Sequence, residues 1–232
     1  MDKPRRLQIA FVAGALVPLA VVPAMLAPAA SKGPYFASGI KICEADSQSV
    51  IIWTRLTRNA EREGADRPLP IVHYRDPKTG ALTDNRRGRA DMEPVVEFPK
   101  GSAIDTIEGA VPGAPGEVRV RYRAGGGAWR TTPWKAVDVS RDFTAHFPIR
   151  DLKPATAYDL QVENRSGHTV NGGFRTAPLP DQPARVVFTV VTGTAYPDKD
   201  LAEGYKIYAQ MRKLDPSFFV HTGDIVYYDE LA

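Results

Sequence analysis

The chain has 232 residues, 43% of them hydrophobic and 25% charged, which is typical of a globular protein with a real core. The formal net charge is only +3, so no basic field for nucleic acid is expected, and the single cysteine, Cys43, excludes an internal disulfide. Twenty prolines and 19 glycines favour a β-rich fold with many turns over a helical bundle.

Residues 1–30 have the pattern of a signal peptide. The basic pair Arg5-Arg6 precedes an apolar run, and the small residues at 27–29 (APA) fit a cleavage site. An uncleaved anchor is the alternative, but Pro18 and Pro23 interrupt the run. We therefore expect export to the periplasm or the extracellular space, with the twin-arginine route left open, and no stable membrane span after signal removal.

Residues 34–178 predict an antiparallel β-sandwich. Short stretches alternate apolar and polar residues, as in Glu117–Arg123, where Val118, Val120 and Tyr122 share one face. The arginines of that stretch could guide anionic substrates, although such a row is more often a solvated sheet face. The segment DLKPATAYDLQV predicts the corner of a fibronectin type III-like sandwich, with the tyrosine hydroxyl bonded to backbone. Residues 57–70 and 75–93 show no convincing period and predict long loops or an insertion.

A proline-rich linker at residues 179–184 separates this region from a different pattern. The apolar run RVVFTVVTG (185–193) predicts a buried parallel strand. KDLAEGYKIYAQMRKLD predicts a helix, and PSFFVHTGD predicts a second strand. Residues 185–232 are therefore predicted to begin an α/β domain with one βαβ unit.

Asp224 and Tyr227 are the candidate site residues. Ligands of α/β sheets gather at the carboxyl ends of strands, and Asp224 directly follows the second predicted strand. Tyr227 lies three residues later and could turn back to the same place. A turn cap is the alternative role for Asp224, and packing is the alternative for Tyr227. His221, on the strand itself, is better suited to a supporting role than to metal ligation.

Three segments together resemble the alkaline phosphatase D (PhoD-like) family of calcineurin-like metallophosphoesterases. They are GPYFASGIKICEADSQSVIIWTRLT, DFTAHFPIRDLKPATAYDLQVEN with the following GFRTAP, and FTVVTGTAYPDKD with PSFFVHTGDIVYYD. The resemblance implies an exported hydrolase of phosphate monoesters or diesters that uses iron and calcium. It also implies that Asp224 bridges metals and that Tyr227 binds ferric ion.

Two departures from that family qualify the expectation. Gly193 stands where the family usually has a cysteine ligand, which puts the iron site in doubt. The family's later Asn-His and histidine motifs are not in the sequence, so the chain is expected to be an N-terminal fragment that is inactive alone. A non-catalytic β-sandwich binding module and a phosphodiesterase of the phospholipase D type remain alternatives, and the substrate and oligomeric state stay open.

Overall fold

The structure is a computed structural model that describes residues 32–84, 91–195, 198–202 and 204–225. The predicted signal peptide lies outside the described residues. Within the described ranges, no helix has both the length and the apolar character that crossing a membrane requires.

Thirteen strands and one α-helix make up the regular structure of the described residues. In chain order they are β1 (Ile40–Cys43), β2 (Val50–Arg55), β3 (Ile71–Arg75), β4 (Leu82–Thr83), β5 (Glu93–Glu97), β6 (Glu117–Ala124), β7 (Arg130–Thr131), β8 (Lys135–Ala136), β9 (Thr144–Ile149), β10 (Ala157–Asn164), β11 (Thr169–Arg175), β12 (Phe188–Val191), α1 (Lys206–Lys213) and β13 (Phe218–His221).

Two antiparallel sheets pack together as a β-sandwich, as predicted. One sheet has the order β1-β2-β9, and the other has the order β11-β10-β6-β7 with β8 also paired to β6. Both sheets turn alternate side chains inward, because strand neighbours point to opposite faces. The shared core contains the following fully buried side chains: Val50, Ile52, Leu56, Val118, Val120 and Val162.

The corner before β10 has the predicted hydrogen bond. Tyr158 is buried, and its hydroxyl oxygen accepts the backbone N–H of Lys153 at 2.8 Å. Its ring stacks on Phe174 of β11 with centroids 5.1 Å apart. The tyrosine therefore fixes the turn to the sheet through backbone and packing together.

Among the described residues, the stretches expected to be irregular, 57–70 and 75–93, contain only the two-residue β4 and one end residue each of β3 and β5. β3, β4 and β5 form a separate three-stranded antiparallel sheet in the order β4-β3-β5. Ile71 and Val96 of these strands are 51% and 50% exposed, whereas Tyr74 is buried. The strands therefore have no continuous buried face that would appear in the sequence as an alternation of apolar and polar residues. These strands are recognised by their cross-strand backbone pairing and not by a periodic apolar face.

The strand-helix-strand segment has the predicted parallel pairing, with different burial and helix bounds. β12 and β13 pair in parallel, Phe188 opposite Phe218. The predicted helix is shorter than its apolar spacing indicated: α1 begins at Lys206, after Gly204 at φ 136°. The strands were expected to be buried, yet Phe188 and Phe218 are 54% and 50% exposed, and Phe219, which Tyr208 of α1 contacts, is 46% exposed.

Candidate functional site

The carboxyl ends of β12 and β13 meet, as parallel neighbours must. The backbone N–H of Thr194 donates to the carbonyl oxygen of Asp224 at 2.9 Å, and that of Gly193 donates to Gly223 at 3.3 Å. The Thr194 hydroxyl lies 3.3 Å from the carbonyl oxygen of Ile225. The two strand tips, residues 192–194 and 222–225, thus form one connected surface.

Gly193 has a backbone reason to be glycine. Its φ is 66°, in the left-handed region that glycine occupies without a steric penalty. A cysteine at this position would place a β-carbon in a disfavoured conformation. The absence of the cysteine expected from the resemblance therefore goes with the local backbone, and the Gly193 side chain offers no ligand atom.

His221 connects the two tips through its side chain. Its Nε2 lies 3.4 Å from the hydroxyl of Thr194, and its Nδ1 accepts the backbone N–H of Gly223 at 3.4 Å. Because Nδ1 accepts this hydrogen bond, it is the ring nitrogen without a proton, so Nε2 carries the ring N–H and can donate to the Thr194 hydroxyl. This geometry suits a residue that holds the tips in place. The part played by Thr194 gave no signal in the sequence, because it depends on strand pairing.

Asp224 projects from the tip of β13 and is exposed. Its φ of 55° is left-handed, a conformation that aspartate tolerates better than most residues. In the ranges the structure describes, no hydrogen bond or ion pair engages its carboxylate. By contrast, the Asp200 carboxylate accepts the backbone N–H of Lys206 at 3.0 Å and so satisfies a donor at the start of α1.

The described residues give Asp224 no partner ligands. Among them, no group of three or more His, Cys, Asp or Glu side chains could hold a metal ion. Tyr227, the second predicted ligand, lies outside the described residues. The two strand tips therefore fit a metal only as one carboxylate of a larger ligand set.

Tyr205 fixes the loop that follows the first tip. Its hydroxyl donates to the carbonyl oxygen of Ala195, directly after Thr194. Burial raises the pKa of the Tyr205 phenol, and the nearby Asp198 carboxylate adds to the effect. The tyrosine is thus a neutral donor at physiological pH, positioned to order the loop next to the site.

Comparison with solved structures identifies a shared fold. A chain described as "Structure of PhoD" matches with a TM-score of 0.54 and 19% identity, covering 87% of this chain and 30% of that chain. The present chain thus spans less than a third of the PhoD chain. At this identity the likeness shows the fold alone.

Two further solved structures match more distantly. The sensor domain of the anti-sigma factor RsgI4 in Pseudobacteroides cellulosolvens has a TM-score of 0.32 and 14% identity, covering 61% of this chain and 93% of that chain. A fibronectin type III domain from human KIAA0970 protein has a TM-score of 0.28 and 14% identity, covering 63% and 77%. No protein-family model matches the sequence, and no curated protein matches it.

Proposed function

We propose that this chain is the N-terminal part of an exported metallophosphoesterase of the PhoD type. The observation that carries the proposal is the fold shared with PhoD over 87% of this chain. The Gly223-Asp224 tip, at the carboxyl end of a parallel strand, supplies a carboxylate where such sheets bind ligands. The substrate class is a phosphate ester, either a monoester or a diester.

Asp224 is the proposed metal ligand of the described region, with Tyr227 as the proposed phenolate ligand of an iron ion. The Asp224 carboxylate is exposed and has no hydrogen bond or ion pair with the described residues, which suits this role because hard cations prefer carboxylate oxygens. Iron and calcium, when bound, would activate water and neutralise charge that develops on the phosphoryl oxygens. His221 and Thr194 would hold the two tips at a fixed separation.

The test is a hydrolysis assay on the native protein that carries this sequence, supplied with iron and calcium. An aryl phosphate monoester and a bis-aryl phosphate diester are offered separately, with and without a chelator. Asp224→Asn is expected to lower hydrolysis by at least about 100-fold, the upper end of what loss of a mere supporting residue costs. The preferred ester then identifies the monoester or diester class.

Asp215→Asn is the matched control. Asp215 is also an exposed aspartate with a left-handed backbone, φ 47°, but it precedes β13 and so lies at the opposite end of the strand. Its replacement should leave hydrolysis unchanged. If the folded, metal-supplied protein hydrolyses neither ester, the proposal fails.

A non-catalytic binding module is the second candidate function, and the absence of a ligand atom at Gly193 favours it. The two candidates differ in metal content, since a binding module has no need of iron. Protein purified without iron, and stable to chelators, would support the binding module.

A further inference from the structure

The outer face of the five-stranded sheet carries a row of alternating guanidinium and indole groups, here called the Arg–Trp row. Trp134 lies between Arg165 and Arg119, whose guanidinium carbons are 4.2 and 4.4 Å from its ring centroid. Trp129 lies between Arg121 and Arg123, at 5.1 and 4.6 Å. Stacking on the indoles limits the movement of each guanidinium.

Carboxylates neutralise most of this row. Arg119 pairs with Glu163 directly opposite on β10, and Arg123 Nε lies 2.8 Å from Asp159 Oδ2, also directly opposite. At the end of the row, Arg165 Nε lies 3.0 Å from Glu117 Oε2. Each of these three arginines therefore has a carboxylate.

Arg121, at the centre of the row, breaks the pattern. The residue opposite it on β10 is Gln161, whose Oε1 is 3.5 Å from Arg121 Nη1, and the residue opposite Gln161 on β11 is Asn171. No ion pair engages Arg121 among the described residues. A guanidinium has five N–H donors in a planar fork, and a single long bond to an amide leaves most of them available.

The centre of the face is therefore a positive group beside two carboxamides. Arg121, Gln161 and Asn171 lie in register on three adjacent strands, a span of roughly 10 Å at the usual strand spacing. Arg121 is half-buried, and its guanidinium carbon lies 5.1 Å from the ring centroid of Trp129. A ligand could therefore make one charge-assisted hydrogen bond with Arg121 and neutral hydrogen bonds with the amides of Gln161 and Asn171 beside it.

The chemistry of the face favours a hydrated anionic ligand. The rings of Trp129 and Trp134 each already lie within 5.1 Å of two guanidinium carbons, so they are less available for the base stacking that single-stranded nucleic acids require. The exposed large hydrophobic residues of the described chain include none from β6, β10 or β11, so a protein partner would lack an apolar anchor there. An acidic polysaccharide has spaced negative groups and many hydroxyls. One negative group could pair with the arginine while hydroxyls form hydrogen bonds with the two amides.

We propose that Arg121, Gln161 and Asn171 form a binding site for an acidic polysaccharide, with Arg121 pairing with its anionic group. The proposal concerns the sandwich and goes beyond the proposed hydrolase activity. It is tested by binding without hydrolysis, so its failure and that of the phosphoesterase proposal are distinguishable.

The experiment measures binding of the full chain to carboxymethyl-dextran, with neutral dextran as the uncharged polymer of the same backbone. Gln161→Glu completes the carboxylate pattern and gives Arg121 the kind of partner that Arg119 and Arg123 have. We expect this variant to bind at least about tenfold more weakly, since a hydrogen bond to a charged group is worth about that factor. Glu163→Gln frees Arg119 and should strengthen binding.

Gln182→Glu is the control for net charge, because it adds the same charge on an exposed residue outside the sheet. Its affinity should equal that of the unaltered protein. Thermal unfolding of each variant confirms that the sandwich is intact, and Arg121→Gln provides a second route to the loss if Gln161→Glu does not fold.

Three results would overturn the proposal. The first is equal affinity of the Gln161→Glu and Gln182→Glu variants for carboxymethyl-dextran. The second is binding of neutral dextran as tightly as carboxymethyl-dextran, or no binding of either polymer. The third is binding of poly-L-glutamate or a single-stranded oligonucleotide as tightly as carboxymethyl-dextran, with the same loss in Gln161→Glu, which would assign the surface to another class of polyanion.

Discussion

The hydroxyl of Tyr158 provides a sharp test of how the sandwich is held together. Tyr158→Phe keeps the buried ring and its stacking on Phe174 but removes the acceptor of the Lys153 backbone N–H, which lies 2.8 Å away. An N–H left without a partner in a partly buried place costs about 1–3 kcal/mol. Taking about 2 kcal/mol, we expect the unfolding temperature to fall by about 4–8 °C for a chain of this size.

Tyr122→Phe is the matched control for that experiment. Tyr122 is equally buried, 6% exposed like Tyr158, and its ring lies against the Tyr158 ring with centroids 6.4 Å apart. Within the described residues its hydroxyl accepts no backbone N–H, so its removal should cost far less. Thermal unfolding followed by circular dichroism measures both variants. Equal losses of stability in the two would refute a specific role for the Tyr158–Lys153 hydrogen bond.

Two further perturbations test packing and electrostatics. Gly113→Ala should destabilise the sandwich by about 1–3 kcal/mol, because a β-carbon there would lie 2.0 Å from Phe143 Cδ2. In the double variant, Phe143→Ala should remove the clash, so the loss of unfolding free energy should be smaller than the sum of the losses in the two single variants. A loss equal to that sum would contradict the proposed clash. Asp46 accepts the backbone N–H groups of Gln48 and Ser49 at 2.7 and 2.5 Å, and these bonds, with the Ser49 hydroxyl, lower the pKa of its carboxyl. A lowered folded-state pKa stabilises the fold at neutral pH and ceases to do so as the pH falls below about 4. The unfolding midpoint in urea of Asp46→Ala should therefore lie below that of the unaltered protein at pH 7 and approach it at pH 3; a constant difference would refute the carboxylate's role.

The sandwich could be predicted where one face of a strand is buried and the other is wet. In β10, Tyr158, Leu160 and Val162 are buried in strict alternation, and the sequence shows that period directly. β3 and β5 could not be found in this way, because they have no continuous buried apolar face and their pairing is non-local. The start of α1 could not be placed either, since it depends on Gly204 and on the hydrogen bond from the Lys206 backbone to Asp200.

The candidate site was predictable only in outline. The sequence placed Asp224 at a strand end, which follows from local pattern and a general rule of α/β sheets. The bonds from Thr194 and His221 across the tips depend on the register of β12 with β13, which no local pattern encodes. Likewise, the arginines of β6 looked like a solvated face until the register with β10 showed which of them lacks a carboxylate.

Metal binding by the native protein is the most direct test of Asp224 as a metal ligand. Iron and calcium contents are measured in the protein and in its Asp224→Asn and Asp215→Asn variants after identical metal loading and removal of free ions. We expect bound metal in the protein and in Asp215→Asn, and a clear loss in Asp224→Asn. Equal metal contents in the two variants would contradict the assignment of the β13 tip as a metal site.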